Sequence, residues 1–236
     1  MPETLRKLRL FVLAKGTTIK RRTSSYGHTE QITEERHNRI LTAALEVFSK
    51  SSFGDATTEK IARRAHVSKR DIYAAFPHKH AILAAVINMV LQSDGENFTR
   101  VVTDSRESTD LQEQLEIIGL ALISEILSPV TGFISRLISS EIVNQPPIGA
   151  IYFENWYNRR AHLISQVLFK HMAQRKGKPR RLHDADQAAK HYVALITHLP
   201  QLTVAVGMRE IWNAKSVQAH VKSAVERFLT AYPSFR

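Results

Sequence analysis

Residues 57–79 read TTEKIARRAHVSKRDIYAAFPHK, and the spacing within them decides the fold. Two short helical runs lie on either side of a three-residue break, His66-Val67-Ser68. Thr57 or Thr58 can cap the first run, whose Ile61, Ala62 and Ala65 fall on one face. Ser68 can cap the second, with Ile72 and Phe76 turned inward, and Pro77 ends it because a helical residue is disfavoured before proline. Between those anchors the second run leaves Lys69, Arg70, Asp71, Tyr73 and Ala74 facing outward. A core helix has no use for such chemistry, and a fully solvated helix needs no anchors. The pattern fits a helix held to a core on one side and presented to a charged partner on the other.

Working outward, TEERHNRILTAALEVFSK (33–50) repeats Ile40, Ala44, Val47 and Phe48 on one helical face, a brace for the two short helices. HKHAILAAVINMVLQ (78–92) reads as a longer helix leaving the unit. Further helices are expected near 109–127, 130–144, 148–175, 184–207 and 214–231. Their breaks are Pro129, Gln145-Pro146-Pro147, the KGKP stretch (176–179) and Gly207, with a kink at Pro200. Valine and isoleucine sit in 3.6-residue patterns and never alternate over a strand's length. The predicted fold is all-α. Residues 1–32, rich in Lys, Arg, Ser and Thr, read as a basic flexible arm, 33–80 as a three-helix domain, and 81–236 as a larger helical domain.

Charge supports that division. The first 80 residues carry 16 Lys and Arg against 8 Asp and Glu, and the remaining 156 carry 17 against 14, within a total of +11. The excess at one end implies a polyanionic partner. A composition that is 43% hydrophobic suits a folded chain of 236 residues. The absence of cysteine removes disulfides, thiol catalysis and cysteine-based zinc sites, and fits a reducing, cytoplasmic setting. No run reaches the roughly 18 apolar residues of a membrane span, and Arg9 splits the small apolar patch near the start, so neither a span nor a signal peptide is expected.

Two short helices behind a bracing helix describe a helix-turn-helix, whose second helix enters the major groove. The roles follow from chemistry. Arg70 can donate twice to guanine O6 and N7, and Asp71 can accept from cytosine N4. Lys69 and Tyr73 can reach bases or backbone. Thr58, Ser68 and Lys79 stand at helix starts, where amides and the helix dipole favour phosphate. Arg63 and Arg64 add charge, and Arg6, Lys7, Arg9, Lys20, Arg21 and Arg22 suit an arm lying along phosphates or in a minor groove.

The stretch RILTAALEVFSKSSFGDATTEKIARRAHVSKRDIYAAFPHKHAIL (39–83) resembles the TetR-type (tetracycline-repressor-like) regulators. It has their apolar first helix, an aromatic before a Thr-capped second helix with Ile-Ala, a Val-Ser turn, a Tyr-x-x-Phe recognition helix and a following lysine, Lys79. It departs from them at His66, where glycine is usual; at Arg70 and Asp71, where small residues and threonine are common; and at Ala75, which replaces a frequent histidine. The resemblance implies a ligand-responsive regulator, a repressor, that binds a palindromic double-stranded DNA operator as a homodimer. It implies that the last two long helices form the dimer interface. Their apolar residues (Val193, Ile196, Leu202, Val206, Val221, Val225, Phe228) read equally as interface or internal core. It also implies a small apolar or aromatic effector among the middle helices, with Phe133, Phe153, Trp156, Tyr157, His162 and His198 as candidate lining.

Rival chemistry finds little footing. Glu34–His37 is the sole Glu-x-x-His pair, where a di-iron carboxylate bundle needs two. His191 and His198 have no carboxylate support for a zinc site. No GxSxG, P-loop or dinucleotide fingerprint appears, so no enzyme, metal or cofactor is expected. The remaining alternative is a helical adaptor or membrane-surface protein that uses its basic arm.

Overall fold

Helical periodicity becomes helix throughout the computed structural model, which describes residues 25–143, 146–173 and 182–235. In chain order the helices are α1 (Ser25–Lys50), α2 (Thr58–Ala65), α3 (Lys69–Ala75), α4 (Lys79–Asp104), α5 (Leu111–Ile126), α6 (Pro129–Glu141) and α7 (Pro146–Tyr152). A π-helical segment, Phe153–Asn158, leads into α8 (Arg159–Ala173), followed by α9 (Leu182–Ala205) and α10 (Ala214–Ala231). Short 3-10 turns occupy Ser105–Glu107, Arg209–Ile211 and Pro233–Phe235. Among the described residues there is no strand.

Two boundaries differ from the sequence reading. The arm expected to run through residue 32 gives way to helix at Ser25, so its basic residues Arg6 to Arg22 lie outside the described residues. The helix expected to end near residue 92 continues to Asp104. The polar SDG stretch, 93–95, looks like a break, but Phe98 and Val102 prolong the buried stripe of Val90 and Leu91. That burial outweighs the roughly 1 kcal/mol an interior glycine costs.

Contacts divide the chain into two units. One runs to Val90 and takes in Phe133–Ile148. Its core gathers Ile40, Ala44 and Phe48 of α1, Ile61 and Ala65 of α2, Ile72 of α3, and Ile82 and Val86 of α4. Phe48 packs on Phe53 with ring centroids 5.4 Å apart, and His37 covers Phe76 at 4.8 Å. Thr57, rather than Thr58, caps α2, accepting from the Lys60 amide at 3.2 Å. At the other end His66 adopts φ 54°, ψ 46°, and the Val67 amide reaches back to the Ala62 carbonyl at 3.1 Å. This left-handed stop normally falls to glycine.

The second unit comprises Leu91–Gly132 and the chain from Gly149. Here α5, α8, α9 and α10 pack together. Tyr192 is fully buried and donates to the Leu115 carbonyl at 2.5 Å. Gly119 makes room for it: a Cβ there would meet the tyrosine oxygen at 2.8 Å and Val221 at 2.9 Å. Pro200 lies inside α9 and has no N–H for the Ile196 carbonyl. That carbonyl is satisfied from α10 instead, by His220 Nε2 at 3.0 Å. Val193, Ile196, Val221, Val225 and Phe228 are core within the chain. Leu202 and Val206 are not: with Leu195 and Leu199 they form an exposed apolar stripe along α9 and just past its end. No single helix among the described residues is long and apolar enough to cross a membrane.

Candidate nucleic-acid interface

Helix α3 is seven residues long, and its orientation rests on few contacts. Ile72 and the capping residue Phe76 are buried, while Lys69, Arg70, Tyr73, Ala74 and Ala75 are exposed. The Tyr73 side chain keeps half of its surface open (50%), with its hydroxyl 3.4 Å from Thr58 Oγ1 and the Lys69 ammonium 6.0 Å from its ring centre. Lys69, Arg70 and Tyr73 therefore share a solvent face with Thr58 at its edge. A guanidinium, an ammonium and a phenol on one rigid helix can donate to base edges and phosphates.

Asp71 and Lys79 are arranged otherwise than the sequence suggests. Ser68 and Asp71 form a reciprocal capping box: Asp71 N donates to Ser68 Oγ at 3.1 Å, and Ser68 N donates to Asp71 Oδ2 at 2.9 Å. The Ser68 hydroxyl also donates to Oδ2 at 2.7 Å, and Arg36 reaches Oδ1 at 3.4 Å. Hydrogen bonds from Ser68 side chain and backbone, aided by Arg36 and Arg70, hold the Asp71 carboxyl below the usual aspartate value. Ser68 engages Oδ2 twice and Arg36 reaches Oδ1, so Asp71 holds the helix start. Lys79 turns back over Phe53, 4.4 Å from its ring centre, and donates to the Phe53 carbonyl at 2.6 Å and the Gly54 carbonyl at 3.2 Å. Its ammonium ties the loop before α2 to the start of α4. Arg64 is held by Glu46, Nε to Oε2 at 2.7 Å, whereas Arg63 is exposed.

The six residues named for an effector differ in exposure and surroundings. Phe153 is 54% exposed and stacks on Tyr157 at 5.2 Å; the Tyr157 hydroxyl donates to the Lys190 carbonyl at 3.1 Å, and partial burial raises its pKa. His162 and His198 face solvent, the former beside Gln166 at 3.1 Å. Phe133 is half-buried and belongs to the first unit. Trp156 alone is deep in the second unit's core. An open groove of about 470 Å³ in that unit is lined instead by Leu120, Ile123, Leu127, Trp212 and Val217, among others. Among the described residues no group of three or more His, Asp and Glu could hold a metal.

The sequence reading missed the polar centre of this unit. Arg160 is completely buried, and its Nε donates to Glu125 Oε2 at 2.7 Å. Its Nη1 donates to the carbonyls of Asn155 at 3.3 Å and Trp156 at 3.1 Å. The guanidinium lies 5.1 Å from the Trp156 ring centre and 5.4 Å from that of Phe98. Burial pushes the Glu125 carboxyl up to about 7, against the pull of Arg160 and with a further push from Asp94. The signal was slight: Glu125 and Arg160 occupy apolar-face positions of their helices, between Leu122 and Ile126 and beside Ala161 and Ile164.

Comparison with known proteins follows the same division. Residues 40–86 match the model for bacterial regulatory proteins of the tetR family. Residues 113–234, half of the chain, match the C-terminal domain of AefR-like transcriptional repressors. The HTH-type transcriptional regulator SrpR of Pseudomonas putida is 44% identical over 54 residues, which are 23% of this chain and 25% of that protein. A solved TetR-family transcriptional regulator from Mesorhizobium loti superposes with a TM-score of 0.76 at 19% identity, covering 84% of this chain and 97% of its own. The flavonoid-responsive regulator FrrA gives 0.68 at 21% identity over 84% and 97%. At these identities the structures share the fold.

Proposed function

Because the chain belongs to the TetR family of bacterial transcriptional regulators, we propose that it is a repressor which binds a palindromic operator as a homodimer and is released by a small, largely apolar effector. Residues 33–80 read the DNA, and 81–236 sense and dimerise. Each protomer sets α3 in the major groove of one half-site, with Arg70 and Lys69 at base edges and Tyr73 and Thr58 on the backbone. The observation that carries this reading is the exposed face of Lys69, Arg70 and Tyr73 on a helix otherwise anchored by Ile72 and Phe76.

Dimerisation is supported by the α9 stripe of Leu195, Leu199, Leu202 and Val206, an apolar row that a lone chain leaves in water. Release follows if the effector favours a conformer in which the two α3 helices no longer match the half-site spacing. Helix α4 is the natural lever, since it contributes residues to both units. Selection of bound duplexes from random DNA by the purified full chain tests the reading. A recovered inverted repeat supports it. Recovery of no motif, with retention on anionic vesicles, would favour a membrane-surface protein.

A further inference from the structure

Among the described residues four buried side-chain polar atoms of the second unit have no hydrogen-bond partner: Ser93 Oγ, and, from three neighbouring side chains, Arg160 Nη2, Glu125 Oε1 and Trp156 Nε1. The last three are one group. Side-on pairing of a guanidinium with a carboxylate normally closes two parallel bonds, one from Nε and one from Nη2. Here the Nε arm closes at 2.7 Å, and the second arm, Nη2 with Oε1, stays open. The Trp156 indole N–H leans on the same carboxyl and lowers its pKa slightly, without closing a bond of normal geometry. The Arg160 side chain is wholly buried and the Glu125 side chain keeps 13% of its surface open, while Oε1, Nη2 and the indole nitrogen are themselves shut from solvent, so a ligand reaches them only as the surrounding helices yield. Trp156 lies in the π-helical segment, a local irregularity that turns its indole toward the pair.

We propose that Glu125, Arg160 and Trp156 form the polar anchor of the effector site, and that they select an uncharged hydroxyl, phenolic or alcoholic, on an otherwise apolar molecule. This rests on the effector-responsive reading above and specifies the ligand's chemistry. One hydroxyl satisfies the open arm: its hydrogen donates to Glu125 Oε1, and its oxygen accepts from Arg160 Nη2 and Trp156 Nε1. Formal charge excludes the alternatives. An anionic head would meet Glu125, with Asp94 close enough to be felt there, and a cationic head would meet Arg160, in a site where burial already penalises charge. The faces of Trp156 and Phe98 supply apolar surface beside the anchor.

The test uses the full chain and four small aromatic probes of similar shape: para-cresol, para-toluate, para-xylene and benzylamine. Binding is followed by ligand-detected NMR and by the shift in thermal midpoint. Para-cresol should bind, para-xylene about tenfold more weakly, and the charged probes not measurably. Trp156→Phe should weaken para-cresol several-fold and leave para-xylene unchanged. Equal binding of para-toluate or para-xylene to the wild-type chain overturns the proposal. So does the absence of binding by every probe, which would leave the cluster a structural ion pair. In either case retained operator binding by the same preparation leaves the regulator reading standing, whereas loss of operator binding in the probe-free chain would sink that reading instead.

Discussion

Replacing His66 by glycine should make this protein more stable, and the backbone gives the size of the effect. His66 holds φ 54° at the end of α2, and it is the single non-glycine residue with positive φ among the described residues. For a residue with a Cβ that conformation costs about 1–2 kcal/mol. Glycine removes the clash but gives back about 0.5–1 kcal/mol through its greater freedom in the unfolded chain. The net expectation is a gain of about 0.5–1 kcal/mol, or a rise of about 1–4 °C in the thermal midpoint of a chain this size. His66→Ala is the control, because it keeps the Cβ and so the strain. Urea and thermal unfolding of the three proteins at one concentration should rank His66→Gly above the other two, with operator affinity unchanged. A glycine variant no more stable than the alanine variant would refute the strain argument.

Ser68→Ala removes the cap of α3 and should cost about 1 kcal/mol in urea unfolding; Asp71→Ala should weaken all operator sequences alike, with relaxed preference at one base pair the contrary result. The Glu125 carboxyl has a folded pKa of about 7 against an ordinary 4.5, so its contribution to stability is present below pH 4.5 and is lost as the pH rises through 7. The wild-type advantage over Glu125→Gln should therefore shrink by up to about 3 kcal/mol between pH 4.5 and 8, and a flat or growing difference in urea midpoints would contradict this. Leu202→Glu on the exposed stripe of α9 should yield a monomer in sedimentation at micromolar concentration, while a persistent dimer would put the interface elsewhere.

The DNA-reading unit was legible because its information is local. The caps, the Ile72 and Phe76 anchors and the Pro77 stop all act within a few residues, and α2 falls on Thr58–Ala65 as the spacing requires. His66, where the resembling family has glycine, is the residue that takes the left-handed turn. What the sequence left open depends on partners far along the chain. Nothing local shows that Asp71 also meets Arg36, 35 residues earlier, besides the Ser68 cap. Nothing local shows that the Lys79 ammonium donates to the carbonyls of Phe53 and Gly54, 25 residues earlier and more. Glu125 and Arg160, 35 residues apart, carry no pattern that marks them as a pair. Aromatic composition alone did not separate the buried Trp156 from Phe153, which stacks on Tyr157 at the surface.

The central claim is that the outer face of α3 reads base pairs. Its most direct test is competition binding of wild-type and Arg70→Ala protein to the selected operator and to duplexes substituted one base pair at a time. Direct reading predicts that Arg70→Ala loses about 1–3 kcal/mol on the operator and stops discriminating at one G·C pair in each half-site, with preferences elsewhere intact. Equal weakening on every duplex, with all preferences kept, would contradict it.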